Sequence, residues 1–172
     1  MKVILSHPTA NSNVRAVAIK LAEQNNLFRF YTSIAVFPDS YWMRLTKFSV
    51  FKELKRRTFK PILKDYIQTS PWNEISRIVF SKLGIKIFTA HEAGFFSIDK
   101  IYQNLDRKVA NTLKKAKKNG ATAVYAYEDG ALETFIKAKE LGLICIYDLP
   151  IAYWETGRKL MQEEAQRLPA WA

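Results

Sequence analysis

Residues 121–147 read ATAVYAYEDGALETFIKAKELGLICIY, and this stretch decides the fold. Its first part, 121–127, is a short apolar run of strand length. Residues 130–141 then read as a helix that stops at Gly142, the residue type favoured just past a helix end. The run 143–147 (LICIY) is apolar again and reads as the next strand. A strand, a helix and a strand in close succession form the crossover unit that parallel neighbours require.

The amino-terminal part carries the same rhythm. Residues 2–6 (KVILS) make a short apolar strand, which His7 and Pro8 stop because the residue before a proline is pushed out of helical geometry. Asn11 or Ser12 can cap a helix whose apolar positions Val14, Val17, Ala18, Leu21 and Ala22 follow helical spacing. Asn25 and Asn26 end it, and 27–33 (LFRFYTS) reads as a second strand. Between these units, 74–83 has a helical face closed by Gly84. From Asp99, taken as an N-cap, Ile101, Leu105, Val109, Leu113 and Ala116 form a stripe closed by Asn119 and Gly120. Pro150 opens a last helix toward Arg167, and 88–97 shows no clear period. No repeat or interdomain linker interrupts the chain. The expected fold is α/β, a Rossmann-like parallel sheet flanked by helices, with residues 1–172 as one domain.

Composition narrows the class. The chain has 172 residues, 48% hydrophobic and 25% charged, the balance of a folded domain. No apolar run reaches the roughly 20 residues of a membrane span, and no signal-peptide core is seen. One cysteine, Cys145, excludes an internal disulfide and a cysteine-based zinc site, and His7 and His91 are far apart, so no metal or other cofactor is expected. The net charge is +11, unevenly placed. Segment 41–68 holds eight cations against Glu53 and Asp65, and segment 100–118 holds seven against Asp106. The stretch after residue 118 is acidic. With no recognition motif present, that pattern argues against nucleic acid as the partner.

Ligands of such sheets bind beyond the carboxyl ends of the strands. The loop after the first strand contains no glycine, which argues against both a dinucleotide fingerprint and a phosphate-binding P-loop. Asn11 and Asn13 there can cap a helix or meet a polar ligand, and Arg15, one turn further on, can reach a phosphate or face water. Glu128 and Asp129 sit where a strand leads into a helix, as dipole-compensating acids or as acceptors for sugar hydroxyls. Asp148 leaves the last apolar strand, where a partly desolvated carboxylate suits a general base or an N-cap.

These residues, taken together, resemble bacterial family-4 glycosyltransferases. The resemblance lies in YAYEDGALETF from Tyr125, CIYDLP from Cys145, Tyr153 with Trp154, and the ending Pro169 to Ala172. It extends to His7 and Pro8 with Asn11 to Arg15, to LDRKVA from Leu105, and to Pro71 with Trp72. It implies one lobe of a GT-B enzyme, the acceptor-binding amino-terminal one. The nucleotide-sugar donor would be held by a separate carboxyl-terminal lobe, and no catalytic metal would be needed. The acceptor would be a glycan or lipid-linked, and the protein cytoplasmic, peripheral on the inner face of the membrane. Asp148 stands where many retaining relatives carry a histidine.

Segment 41–68 interleaves Trp42, Phe48, Phe51 and Phe59 with its cations. Leu45, Phe48, Phe51 and Leu54 recur every three residues, an apolar stripe that suits an anionic membrane surface or packs on the sheet. Arg56 and Arg57 belong to its cationic face and can bind phosphate or headgroups. The alternative to a transferase half is a non-enzymatic basic module for membrane or nucleic acid.

Overall fold

The computed structural model describes residues 1–46, 48–149 and 153–171. Lys47 and Pro150 therefore lie outside the described residues. Five strands form one sheet: β1 (Val3–Ser6), β2 (Leu27–Thr32), β3 (Ile67–Thr69), β4 (Ala123–Tyr127) and β5 (Ile144–Asp148), in the order β3-β2-β1-β4-β5. Every pairing is parallel. β1 is central and fully buried, which is why it reads as an unbroken apolar run.

The helices are α1 (Ser12–Glu23), α2 (Tyr41–Leu45), α3 (Trp72–Lys82), α4 (Ile98–Lys118), α5 (Leu132–Glu140) and α6 (Trp154–Arg167). Strand side chains alternate between faces. Leu5 and Phe30 pack with Val14 and Ala18 of α1 on one face. Ile4 and Val124 pack with Leu105, Val109 and Leu113 of α4 and Ala138 of α5 on the other. The chain is a Rossmann-like α/β sheet flanked by helices. Gly120 and Gly142, with φ of +97° and +66°, take the left-handed conformation expected just past α4 and α5.

Several local expectations are corrected. Asp99 does not cap α4; Ser97 does, its Oγ accepting from the Lys100 amide at 3.3 Å. Asp99 instead accepts from the Glu92 amide at 2.9 Å. Segment 41–68 does not carry its apolar stripe on one α-helix. It consists of α2, a 3-10 helix at Ser49–Arg57, a 3-10 turn at Pro61–Leu63 and the short strand β3. A three-residue period is that of a 3-10 helix, and the stripe divides: its Leu54 end turns inward while Phe48 stays 63% exposed. Leu54 is buried with Ile34, Val36 and Ile78, and Phe51 packs beside them. α6 is helical as expected but contributes no buried residue. Among the described residues no helix is long and apolar enough to cross a membrane.

Candidate functional site

The strand order reverses at β1. The chain runs outward from β1 to β2 and β3, then returns to pair β4 on the other side of β1. Neighbouring strands whose connections lead in opposite directions open a crevice beyond their carboxyl ends, the usual ligand site of such a sheet. His7 follows β1 there, and Glu128 and Asp129 follow β4.

His7 is 7% exposed. Its Nδ1 accepts from the backbone amides of Thr9 and Ala10 at 3.1 and 3.0 Å, so in the neutral ring the proton sits on Nε2. The ring lies edge-on to Tyr127, with centroids 4.9 Å apart, and to Tyr102 at 6.1 Å. Burial, aided by the charge of Arg57 and opposed by that of Asp148, lowers its pKa to about 4. His7 is thus a fixed neutral donor at physiological pH. The turn that holds it places Ala10 at φ +48°, left-handed geometry adopted without the glycine such loops commonly use.

Tyr125 and Tyr127 are two residues apart on β4 and share one face. The Tyr125 hydroxyl donates to Asp148 Oδ2 at 2.7 Å, across the register that pairs Tyr127 with Asp148. Tyr127 is 5% exposed, and its buried hydroxyl has no hydrogen-bond partner among the described residues. Burial first, and then the neighbouring Tyr125 and Asp148, raises its pKa. Burial likewise raises those of Tyr102 and Tyr125. All three phenols therefore remain protonated near neutral pH.

The acids after β4 have no capping duty. The amides of Glu133 and Thr134 at the start of α5 are met by Asp106 of α4, at 2.8 and 2.9 Å. Among the described residues Glu128 and Asp129 make no side-chain hydrogen bond or ion pair. Asp129 is exposed, at φ +67°, and faces two open cavities. One, of about 410 Å³, is lined by His91, Ile98, Asp99, Tyr102 and Gln103 as well as Asp129. The other, of about 460 Å³, is lined with Asp129 by Leu132, Phe135 and Tyr147.

The remaining candidates are placed as follows. Asn11 caps α1, its Oδ1 accepting from the Val14 amide at 3.0 Å, and Asn13 is exposed one residue inside the helix. Arg15 donates to the carbonyls of Arg56 and Thr58 at 3.2 and 3.0 Å, strapping the 3-10 segment to α1. Arg57 has a side chain only 16% exposed; it pairs with buried Glu74 at 2.8 Å and reaches the Pro8 carbonyl at 3.4 Å. Its guanidinium props the loop after β1 from within. Arg56 is exposed. Two of the three arginines are thus committed to protein partners. Tyr125, Tyr127 and Tyr102 were not among the expected site residues: the two-residue spacing on a strand is the signal for the first two, and Tyr102 enters only through the docking of α4. Among the described residues no three His, Cys, Asp or Glu side chains are grouped to hold a metal ion.

Compared with models of protein families, with curated proteins and with solved structures, the chain matches none.

Proposed function

We propose that this domain is the acceptor-binding half of a glycosyltransferase, cytoplasmic and working at the inner face of the membrane. It takes a glycan or lipid-linked acceptor and operates with a lobe that holds a nucleotide-sugar. The observation that supports this most is the buried Tyr127 hydroxyl, without a hydrogen-bond partner among the described residues, beside the neutral His7 at the carboxyl ends of β1 and β4. Sugar hydroxyls need donors and acceptors at close spacing, and aromatic surface beside them. Tyr127 and His7 Nε2 donate, Glu128 and Asp129 accept, and Tyr102 adds a ring. Arg57 braces the loop that carries His7, and Arg15 straps the 3-10 segment to α1.

Asp148 would serve as the base that takes the acceptor hydroxyl's proton as the sugar bond forms. Tyr125 holds one of its oxygens, Oδ2, and so orients the carboxylate.

The test is binding of oligosaccharides and of lipid-linked glycans to the chain, read by calorimetry. Tyr127→Phe and Asp129→Asn are expected to weaken a bound glycan by roughly ten-fold each, the loss typical of a buried hydrogen bond. Nucleotides and DNA are expected not to bind. Absence of glycan binding, or affinity indifferent to both variants, would overturn the reading. With a donor-binding lobe joined to the chain, Asp148→Asn is expected to depress sugar transfer by about a hundred-fold or more.

A further inference from the structure

The connection between α3 and α4 exposes Leu83, Ile85, Ile87, Phe88, Phe95 and Ile98. Ile87 and Phe95 are 76% and 71% accessible, values that isolated surface apolar side chains reach but that are unusual for six within sixteen residues. The segment is nevertheless ordered by its own interior. Phe80, Phe88 and Phe96 form an aromatic cluster, with Phe80 and Phe96 stacked at 5.4 Å. Its backbone is paired internally: Ile85 N–H donates to the Phe80 carbonyl, Phe96 N–H to that of Phe88, and Ser97 N–H to that of Gly94. At Gly94 a Cβ would come within 2.6 Å of the Phe88 carbonyl oxygen, so the turn closes only with glycine.

We infer that this segment docks onto an anionic phospholipid surface. A surface that enters the headgroup zone must carry apolar side chains outward while its backbone groups are satisfied from within. Both conditions are met here. The charges around it complement the commitment to lipid. Lys82, Lys86 and Lys100 flank the apolar side chains; of the three acids nearby, Asp99 is held by the Glu92 amide and faces His91, Glu53 pairs with Lys82, and Glu92 is left. Lys82 reaches Glu53 at 3.9 Å, which joins this face to the 3-10 segment where Lys52, Lys55 and Arg56 are exposed. Cations near an anionic bilayer attract it over about a Debye length, and the apolar side chains then anchor. The membrane contact thus moves from the 41–68 stripe, whose Leu54 end is buried and which leaves only Phe48 exposed, to the α3–α4 connection. The inference does not rest on the transferase reading.

Co-sedimentation of the chain with large vesicles tests it, with no sugar present. Binding is expected to phosphatidylglycerol–phosphatidylcholine vesicles and to be weak on phosphatidylcholine alone. Ile87→Glu with Phe95→Glu should lower partitioning roughly ten-fold or more. Ile87→Trp with Phe95→Trp should preserve it. Both positions are exposed, and an unchanged unfolding midpoint shows that the fold is kept. Replacing Lys52, Lys55 and Arg56 by alanine should weaken binding several-fold at low salt and less at high salt. Failure to bind either vesicle overturns the inference. So does binding that the glutamate pair leaves intact, or a dimer in ultracentrifugation that the glutamate pair dissociates, which would assign the face to a second copy.

Discussion

At neutral pH the imidazole of His7 is uncharged because burial and Arg57 both disfavour the cation, and its pKa falls from 6.5 to about 4. Between those values the unfolded chain binds a proton at this residue that the folded chain does not. Its contribution is fully present above pH 6.5 and is lost as the pH falls to about 4. The shift corresponds to about 3 kcal/mol at the acid end. His7→Asn keeps an acceptor for the Thr9 and Ala10 amides but does not titrate in this range. Urea unfolding of the two proteins from pH 7 to pH 4 should therefore show a steeper loss for the native chain; parallel curves would contradict the buried neutral ring. His7 was visible in the sequence only as a residue that ends a strand. Its neutrality comes from Arg57, Tyr102 and Tyr127, which lie 50, 95 and 120 residues away along the chain.

Helix α5 begins with no side-chain cap of its own, since Ala131 stands at the N-cap position. Asp106, 5% exposed, supplies the missing acceptor from the neighbouring α4, and Thr134 Oγ1 donates back to the Asp106 carbonyl at 3.2 Å. Asp106→Ala leaves two N-terminal amides without partners and should cost about 2–3 kcal/mol in denaturant unfolding. Asp106→Asn should cost less, because its one carbonyl oxygen still serves one amide. Hydrogen exchange at Glu133 and Thr134 checks the site directly, as both amides should lose protection in the alanine variant. The sequence marks Asp106 only as the lone acid of the basic segment 100–118. Local reading offered Glu128 and Asp129 as dipole-compensating acids or as acceptors for sugar hydroxyls. The fold gives the capping role to an acid 27 residues upstream of Glu133 and leaves the nearer pair to the crevice.

At the scale of the molecule, the sheet and the four helices α1, α3, α4 and α5 make the core, whereas α6 buries nothing. Stability follows buried apolar area, so a chain cut after residue 152 should unfold within about 1 kcal/mol of the full chain. A larger loss would mean that α6 packs on the sheet in solution. The same exposure explains why α6 was legible as a helix from its pattern while its place was not. Amphipathic periodicity states that a helix has an apolar face; it does not state what covers that face.

The sequence alone determined what depends on nearest neighbours: the apolar runs that became β1, β2, β4 and β5, a cap at Asn11 or Ser12, the glycines after α4 and α5, and hence the parallel α/β class. Short edge strand β3, three residues long, carried too little pattern to be read and owes its place to pairing with Phe30, Tyr31 and Thr32 of β2. Tertiary structure alone decided that Leu54 of the 41–68 stripe is buried while Phe48 is not, that Arg57 is an internal brace, and that an apolar surface is exposed between α3 and α4. Burial, a lowered pKa and an unpartnered hydroxyl are properties of a three-dimensional neighbourhood. They arise where residues distant in the chain exclude water from one another, and no local spacing encodes them.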